Sequence, residues 1–361
     1  MNAEQQGLPI TGQKHRAVTY VGLHMSHHAS ASGYDQLANA HPSDAFIAAD
    51  SPLVGGQGAL ARAFAGVAAR SGNHWYSRRS LNTEISSLRV LLRQRDHVLH
   101  YLYGENNFRY TGSFRSLFAR RGNKVVATYH TPQARLRELI LKPAHIRSLD
   151  AVVVMSTVQQ GFFEDHLDAE RVHFVPHGID TDYFRPLGAP TSRGDKLTCM
   201  TVGHHLRDYD LLARLAKRAA QENLPVEFNV VARPDRTRAV QGLDNVIMRS
   251  GISDEELLEL YQTSDLLMLP LLDATANNTL LEGMACGMPV FSTDIQGVRD
   301  YAPAHCELVP LGDDAAMFEC LRAAQRGEIA LGPMRDASRL KAESLSWGAS
   351  RQHLQTIYDA L

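Results

Sequence analysis

The chain has 361 residues, of which 44% are hydrophobic and 21% charged, and a net charge of −2 at pH 7. That length suits two domains of about 150–190 residues, and the composition excludes a disordered, collagen-like or low-complexity chain. The small net charge hides +5 up to residue 190 and −7 beyond it, and neither value is large enough to indicate a nucleic-acid partner.

No stretch approaches the roughly 18 uninterrupted apolar residues of a membrane-spanning helix, and the N-terminus lacks the charged start and apolar core of a secretion signal. Cys199, Cys286, Cys306 and Cys320 show no C-x-x-C spacing. A disulfide or zinc framework is therefore not expected, and a cytoplasmic location is. Thirteen of the 17 histidines lie in the first half, which becomes more basic below neutral pH.

Taken in chain order, short apolar runs alternate with helical stretches. Strands are predicted over 17–23, 97–103, 124–130, 151–155 and 172–176. A polar break at 186–194 follows, and the rhythm restarts with strands over 197–203, 226–232, 245–251, 265–271, 289–293 and 306–309. Helices are predicted over 209–223, 253–263, 279–286 and 314–326, and 338–361 reads as one helix or a pair broken near Trp347. Ser253 with Glu256 three residues on has the form of a capping box. Such alternation predicts parallel sheets covered on both faces, and two runs joined by a linker predict two doubly wound α/β domains with a cleft between them.

In such sheets ligands gather at the carboxyl ends of the strands. The most informative segment is 271–290, where a strand ends near Pro270, a loop of small residues (Ala274, Thr275, Ala276) follows, and a helix starts near Asn278. The first N–H groups of that helix and its dipole favour a phosphate. Glu282, about one turn in, could accept two ribose hydroxyls. Equally, it could be a surface Glu behind an ordinary N-cap at Asn277 or Asn278. No G-x-G-x-x-G follows any strand, which disfavours a nicotinamide dehydrogenase. Two basic groups, Arg115, Arg120, Arg121, Lys124 and Arg135, Arg137, Lys142, Arg147, form either a solvated face or a peripheral membrane contact.

The segment 270–290 resembles the nucleotide-sugar motif of glycosyltransferase family 4, retaining enzymes of the GT-B fold. The family pattern is a proline-ended strand, a Glu-x7-Glu pair and a helix reading E-A-M-A-x-G-x-P-V. Val175-Pro-His-Gly-Ile-Asp180 with Phe184 and Pro186 is similar to the family hinge V-P-N-G-V-D-x-x-x-F-x-P. Met200–Gly203, the 245–270 segment, and Ser346-Trp347 with Ile357-Tyr358 also resemble family segments in order and spacing. The similarity is strong over about 175–300.

The resemblance implies a GT-B fold of two Rossmann-like domains, residues 1–186 on the acceptor side and 187–339 on the donor side, with a closing helix at about 340–361 crossing back to the first. It implies retaining, metal-independent transfer of a sugar from a nucleotide diphosphate, UDP favoured and GDP possible, to a hydroxyl on a glycan, lipid or small metabolite, with no cofactor. Glu282 matches the second Glu of the pair, and the amides of Asn277, Asn278 and Thr279 match those holding the distal phosphate. The first Glu aligns with Ala274, with Asp273 as its neighbour. Arg207 fits the family's phosphate-neutralising Lys, and His204 stands where Arg is usual. Arg233 is either a further phosphate contact or a surface residue. Gly251 and Ile252 stand where the base packs against backbone. His130, at a strand end, matches a His facing the donor sugar. The loop 22–34, carrying His24, His27, His28, Ser32 and Gly33, matches a Gly-rich loop near donor and acceptor, and acceptor contact is preferred there over a metal. Two alternatives stand beside this: a nucleotide-sugar epimerase or hydrolase, and a catalytically silent member acting as a binding partner or subunit.

Overall fold

The computed structural model describes residues 16–22, 31–39, 45–48, 59–188 and 195–361. Two six-stranded sheets, parallel throughout, carry the fold. The first has the order β2-β1-β3-β4-β5-β6, made of β1 (Val18–Gly22), β2 (Ala45–Ala48), β3 (Val98–Tyr101), β4 (Lys124–Tyr129), β5 (Ala151–Val154) and β6 (Val172–Phe174). The second has the order β12-β11-β10-β7-β8-β9, from β7 (Leu197–Val202), β8 (Val226–Val231), β9 (Val246–Arg249), β10 (Leu266–Leu269), β11 (Val290–Thr293) and β12 (Glu307–Val309). The central strands are buried along their whole length, β3, β5, β10 and β11 without exception, because helices cover both faces. This is the two-domain Rossmann-like GT-B arrangement.

Each predicted strand is present. Several end one or two residues early, because their last residues already belong to the loops at the cleft. Gly203 leaves β7 at φ +82°, a left-handed conformation that favours glycine. The edge strand β2 escaped prediction. Its four residues are largely exposed, Phe46 included, so no buried face imposed an alternation. The break at 186–194 lies partly outside the described residues.

The capping box forms as read: Glu256 N donates to Ser253 Oγ (3.2 Å) and Ser253 N to the Glu256 carboxylate (2.7 Å). The C-terminal stretch is a pair of helices, Leu331–Ser344 and Trp347–Ala360, the second capped by Ser346. Trp347 therefore opens the last helix. Leu354, Ile357 and Tyr358 of that helix join the core of the first sheet, and a Cβ on Gly178 would lie 2.4 Å from the Trp347 ring. Only glycine lets the chain pass beneath it. On the far side of the cleft Asp300 accepts from Ser156 Oγ (2.6 Å) and from Thr157 N (2.8 Å), which ties the two halves together.

His100, in β3, joins the closing helix to the first sheet: Nδ1 lies 2.5 Å from the Tyr358 hydroxyl and Nε2 2.7 Å from Thr128 Oγ1. Burial pushes its pKa from 6.5 down to about 3, so the folded protein holds it neutral where the unfolded chain would take up a proton. Its contribution is complete above pH 6.5 and declines as the pH falls. Between pH 7 and pH 5 the cost is about 2 kcal/mol. The destabilisation caused by His100→Gln, measured by urea unfolding, should therefore be about 2 kcal/mol smaller at pH 5 than at pH 7. An equal destabilisation at both pH values would contradict a neutral buried histidine.

Candidate functional site

The loop after β10 and the helix Asn278–Ala285 build the centre of the site. Asn277 caps the helix, its Oδ1 accepting from Leu280 N at 3.3 Å. The loop before it lies tight against the short helix Gln296–Arg299: a Cβ on Gly297 would stand 2.0 Å from the Ala274 carbonyl oxygen. Ala274 itself is buried in the core under this loop. The position that aligns with the first family Glu is thus a small, buried core residue. Asp273 turns its Oδ1 back onto Ala274 N at 2.8 Å, and burial raises its carboxyl above the usual range.

Glu282 is buried to 4% exposure and engaged on both oxygens. Oε2 accepts from the Tyr261 hydroxyl at 2.7 Å, and Oε1 accepts from Ser32 Oγ of the first half. Burial raises its carboxyl above the ordinary Glu value, while the two hydroxyls and the nearby Arg207 charge pull it down. An ordinary surface Glu does not fit this environment.

Arg207 stands at the start of the same helix. It is placed by Leu206, whose φ of +56° turns the loop, and by a bridge to Leu271. Its Nε donates to Val202 O (2.9 Å), Nη1 to His205 O (2.9 Å), and Nη2 to Asn277 Oδ1 (3.2 Å) and Thr279 Oγ1 (3.0 Å). An arginine has five N–H donors, and four are committed here. A phosphate would meet a fixed positive charge and one N–H rather than a two-pronged fork.

His130 leaves β4 at the cleft, and its carbonyl accepts from Thr275 Oγ1 of the second half. Its Nε2 is 2.8 Å from Leu102 O, so that nitrogen carries a proton. Tyr103 stacks on the ring at 4.6 Å and Tyr34 meets it edge-on at 4.9 Å. His177 and Trp347 extend this aromatic group toward the hinge.

The structure thus brings together Ser32, Arg207, Asn277, Thr279 and Glu282, and His130 meets the loop before the helix through its carbonyl. Asn278 is the first residue of the helix. His204 lines an open cleft of about 770 Å³ beside Arg207. Gly251, at φ +67° with open space where a Cβ would be, and the half-buried Ile252 lie past β9. Gly33, at φ +111°, follows Ser32, whereas His24, His27 and His28 lie outside the described residues. Arg233 stands apart, exposed and paired with Asp235 at 3.1 Å. Among the described residues there is no group of three side chains able to hold a metal, and no helix long and apolar enough to cross a membrane.

Four of the eight predicted basic residues are taken up by neighbours. Asp150 receives Arg115 (2.6 Å) and Lys124 (3.8 Å), Arg137 pairs with Asp165 and Arg135 with Glu138. Sequence reasoning missed Tyr261, Thr275, Tyr103 and Glu105. A tyrosine in a helix reads as core, and a threonine in a small-residue loop carries no signal of its own.

The model of the glycosyl transferases group 1 matches residues 196–325, and that of glycosyltransferase family 4 matches residues 50–183. The chain is 25% identical over 254 residues to a D-inositol 3-phosphate glycosyltransferase 1 of Catenulispora acidiphila, a match covering 60% of each chain. In structure it is similar to a sucrose-phosphate synthase from Thermosynechococcus elongatus, with a TM-score of 0.67 at 15% identity over 96% of this chain and 98% of the other. It is also similar to the pneumococcal O-GlcNAc transferase GtfA, solved with UDP and GlcNAc, with a TM-score of 0.56 at 13% identity over 77% of this chain and 59% of the other.

Proposed function

We propose, for a chain that belongs with the GT-B glycosyltransferases of the group 1/family 4 type, that it moves a sugar from a nucleotide diphosphate to a hydroxyl acceptor. Transfer proceeds with retention at the anomeric carbon and without a metal. Residues 187–339 form the donor side, and residues 1–186 with the closing segment 340–361 form the acceptor side. The observation that carries this reading is Glu282, a buried carboxylate one turn into a helix whose start is held against the Arg207 guanidinium.

The hard step is departure of the diphosphate while positive charge builds at the anomeric carbon. The Arg207 charge and the first amides of the helix stabilise the leaving group where its charge develops. Glu282 takes the ribose hydroxyls once Ser32 has given up its place on Oε1. Gly251 and Ile252 pack the base, and His130 orients the sugar, so binding energy fixes the reacting geometry. Retention follows from attack on the same face, with the leaving diphosphate accepting the acceptor's proton. The neighbour solved with UDP makes UDP the first nucleotide to try. Ser32 meets Glu282 on the donor side, and acceptor contact is assigned to His28 and Gly33 of the same loop.

A second reading is favoured by one observation, the packed Ala274 where the family has a carboxylate: a silent member that binds nucleotide without turnover. Incubation with UDP-, GDP- and ADP-sugars in the presence of EDTA, with a panel of glycan, lipid and polyol acceptors, separates the two. Transfer, with an anomeric configuration matching the donor by NMR, is the expected result. Nucleotide release that needs no acceptor would point to a hydrolase, and binding without turnover to the silent member.

A further inference from the structure

One turn after β3 holds His130 from three directions. The Leu102 carbonyl accepts from ring Nε2 at 2.8 Å, and the Tyr103 ring stacks on the imidazole at 4.6 Å. From the other end of the turn Glu105 Oε1 accepts from the His130 backbone N at 2.9 Å and from Thr131 Oγ1 at 3.1 Å. The turn is itself fixed. Asn73 Nδ2 donates to the Glu105 carbonyl at 2.6 Å, and a Cβ on Gly104 would lie 2.7 Å from the Tyr129 ring. Glu105 is buried to 1% exposure, and its second oxygen, Oε2, is buried with no hydrogen-bond partner. Burying a carboxyl with one oxygen unpaired is costly. Among the described residues Glu105 has no ion pair to offset that cost.

We infer that Glu105 is the positioning residue of His130: its carboxyl fixes the main chain where His130 leaves β4, and Leu102 and Tyr103 fix the ring. The assignment rests on His130 facing the donor sugar, as proposed above. Glu105 touches neither substrate nor reacting atoms. It acts through the backbone N–H it receives, and reach matters more to that task than charge. Burial pushes its carboxyl up to about 7, so a neutral form is present at neutral pH and an amide is a fair mimic of it.

The test compares Glu105→Gln, which keeps the reach, with Glu105→Asp, which keeps the acid but draws it back by one methylene. Steady-state kinetics of transfer and the His130 Cε1–H resonance in histidine-labelled protein are measured for both, with His130→Ala as reference. Glu105→Asp should lower kcat about 30-fold with donor KM within about threefold, and shift the His130 resonance. Glu105→Gln should recover most of kcat and the wild-type resonance. If Glu105→Asp does not fold by circular dichroism, Tyr103→Leu probes the same clamp from the ring face and should show the same split. Wild-type kcat and resonance in Glu105→Asp or its stand-in would overturn the inference, as would a Gln variant more impaired than the Asp variant. If His130→Ala leaves kcat unchanged, the role proposed for His130 is what fails.

Discussion

Replacing Glu282 by alanine should weaken nucleotide binding at least 100-fold. Two hydroxyls hydrogen-bonded to an ionised acceptor contribute about 3 kcal/mol between them, and each 1.4 kcal/mol is a factor of ten in affinity. The loss falls on the nucleoside, and binding of UDP should suffer as much as binding of a UDP-sugar. Ser32→Ala should act in the opposite sense. The Ser32 hydroxyl occupies the oxygen a ribose would use, and removing that competitor should tighten nucleotide binding by up to about tenfold. Isothermal calorimetry on the two variants checks both signs. Removing the carboxylate takes one hydrogen-bond partner from the buried Tyr261 hydroxyl, so circular dichroism of Glu282→Ala must first show a folded protein. Unaltered binding in a folded Glu282→Ala protein would remove Glu282 from the donor site.

The second large effect concerns Arg207. Arg207→Ala should lower kcat about 1,000-fold while donor KM rises much less, because the guanidinium meets its strongest partner only as charge builds on the departing diphosphate. Arg207→Lys should rescue little of this. One ammonium cannot at once reach the carbonyls of Val202 and His205 and the side chains of Asn277 and Thr279, so the charge would no longer be fixed at the helix start. A lysine variant with near-normal kcat would show that charge alone suffices and that the four-point anchoring has no catalytic role.

Much of this architecture was legible in the residues because the parallel strands are continuous apolar runs, and such runs need covering on both faces. The Ser253 cap and the helix after Pro270 were legible for local reasons, capping chemistry and a proline-ended strand, whereas the stretch around Trp347 read equally as one helix or a broken pair. The environment of Glu282 was only half legible. Its place on the helix follows from spacing, whereas its partners come from positions 21 and 250 residues away, which no local pattern encodes. Arg207 shows the same limit. Its charge could be read, but not the commitment of four donors to the protein itself. Ala274 reads as a missing carboxylate in sequence and as a packed core position against Gly297 in the fold, a distinction that exists only in three dimensions. Arg233 offered two readings, and the structure places it on the surface with Asp235. Glu105 lay in a stretch with no motif at all, and only the register of β3 beside β4 brings it to His130.

The most direct measurement is calorimetric titration of the protein with UDP, GDP and ADP, and with the same titrations on Glu282→Ala. Binding of one nucleotide that is lost in the variant is the expected result, and it would place the donor at the helix Asn278–Ala285. Absence of binding at millimolar nucleotide, or equal binding by both proteins, would contradict a nucleotide-sugar site there.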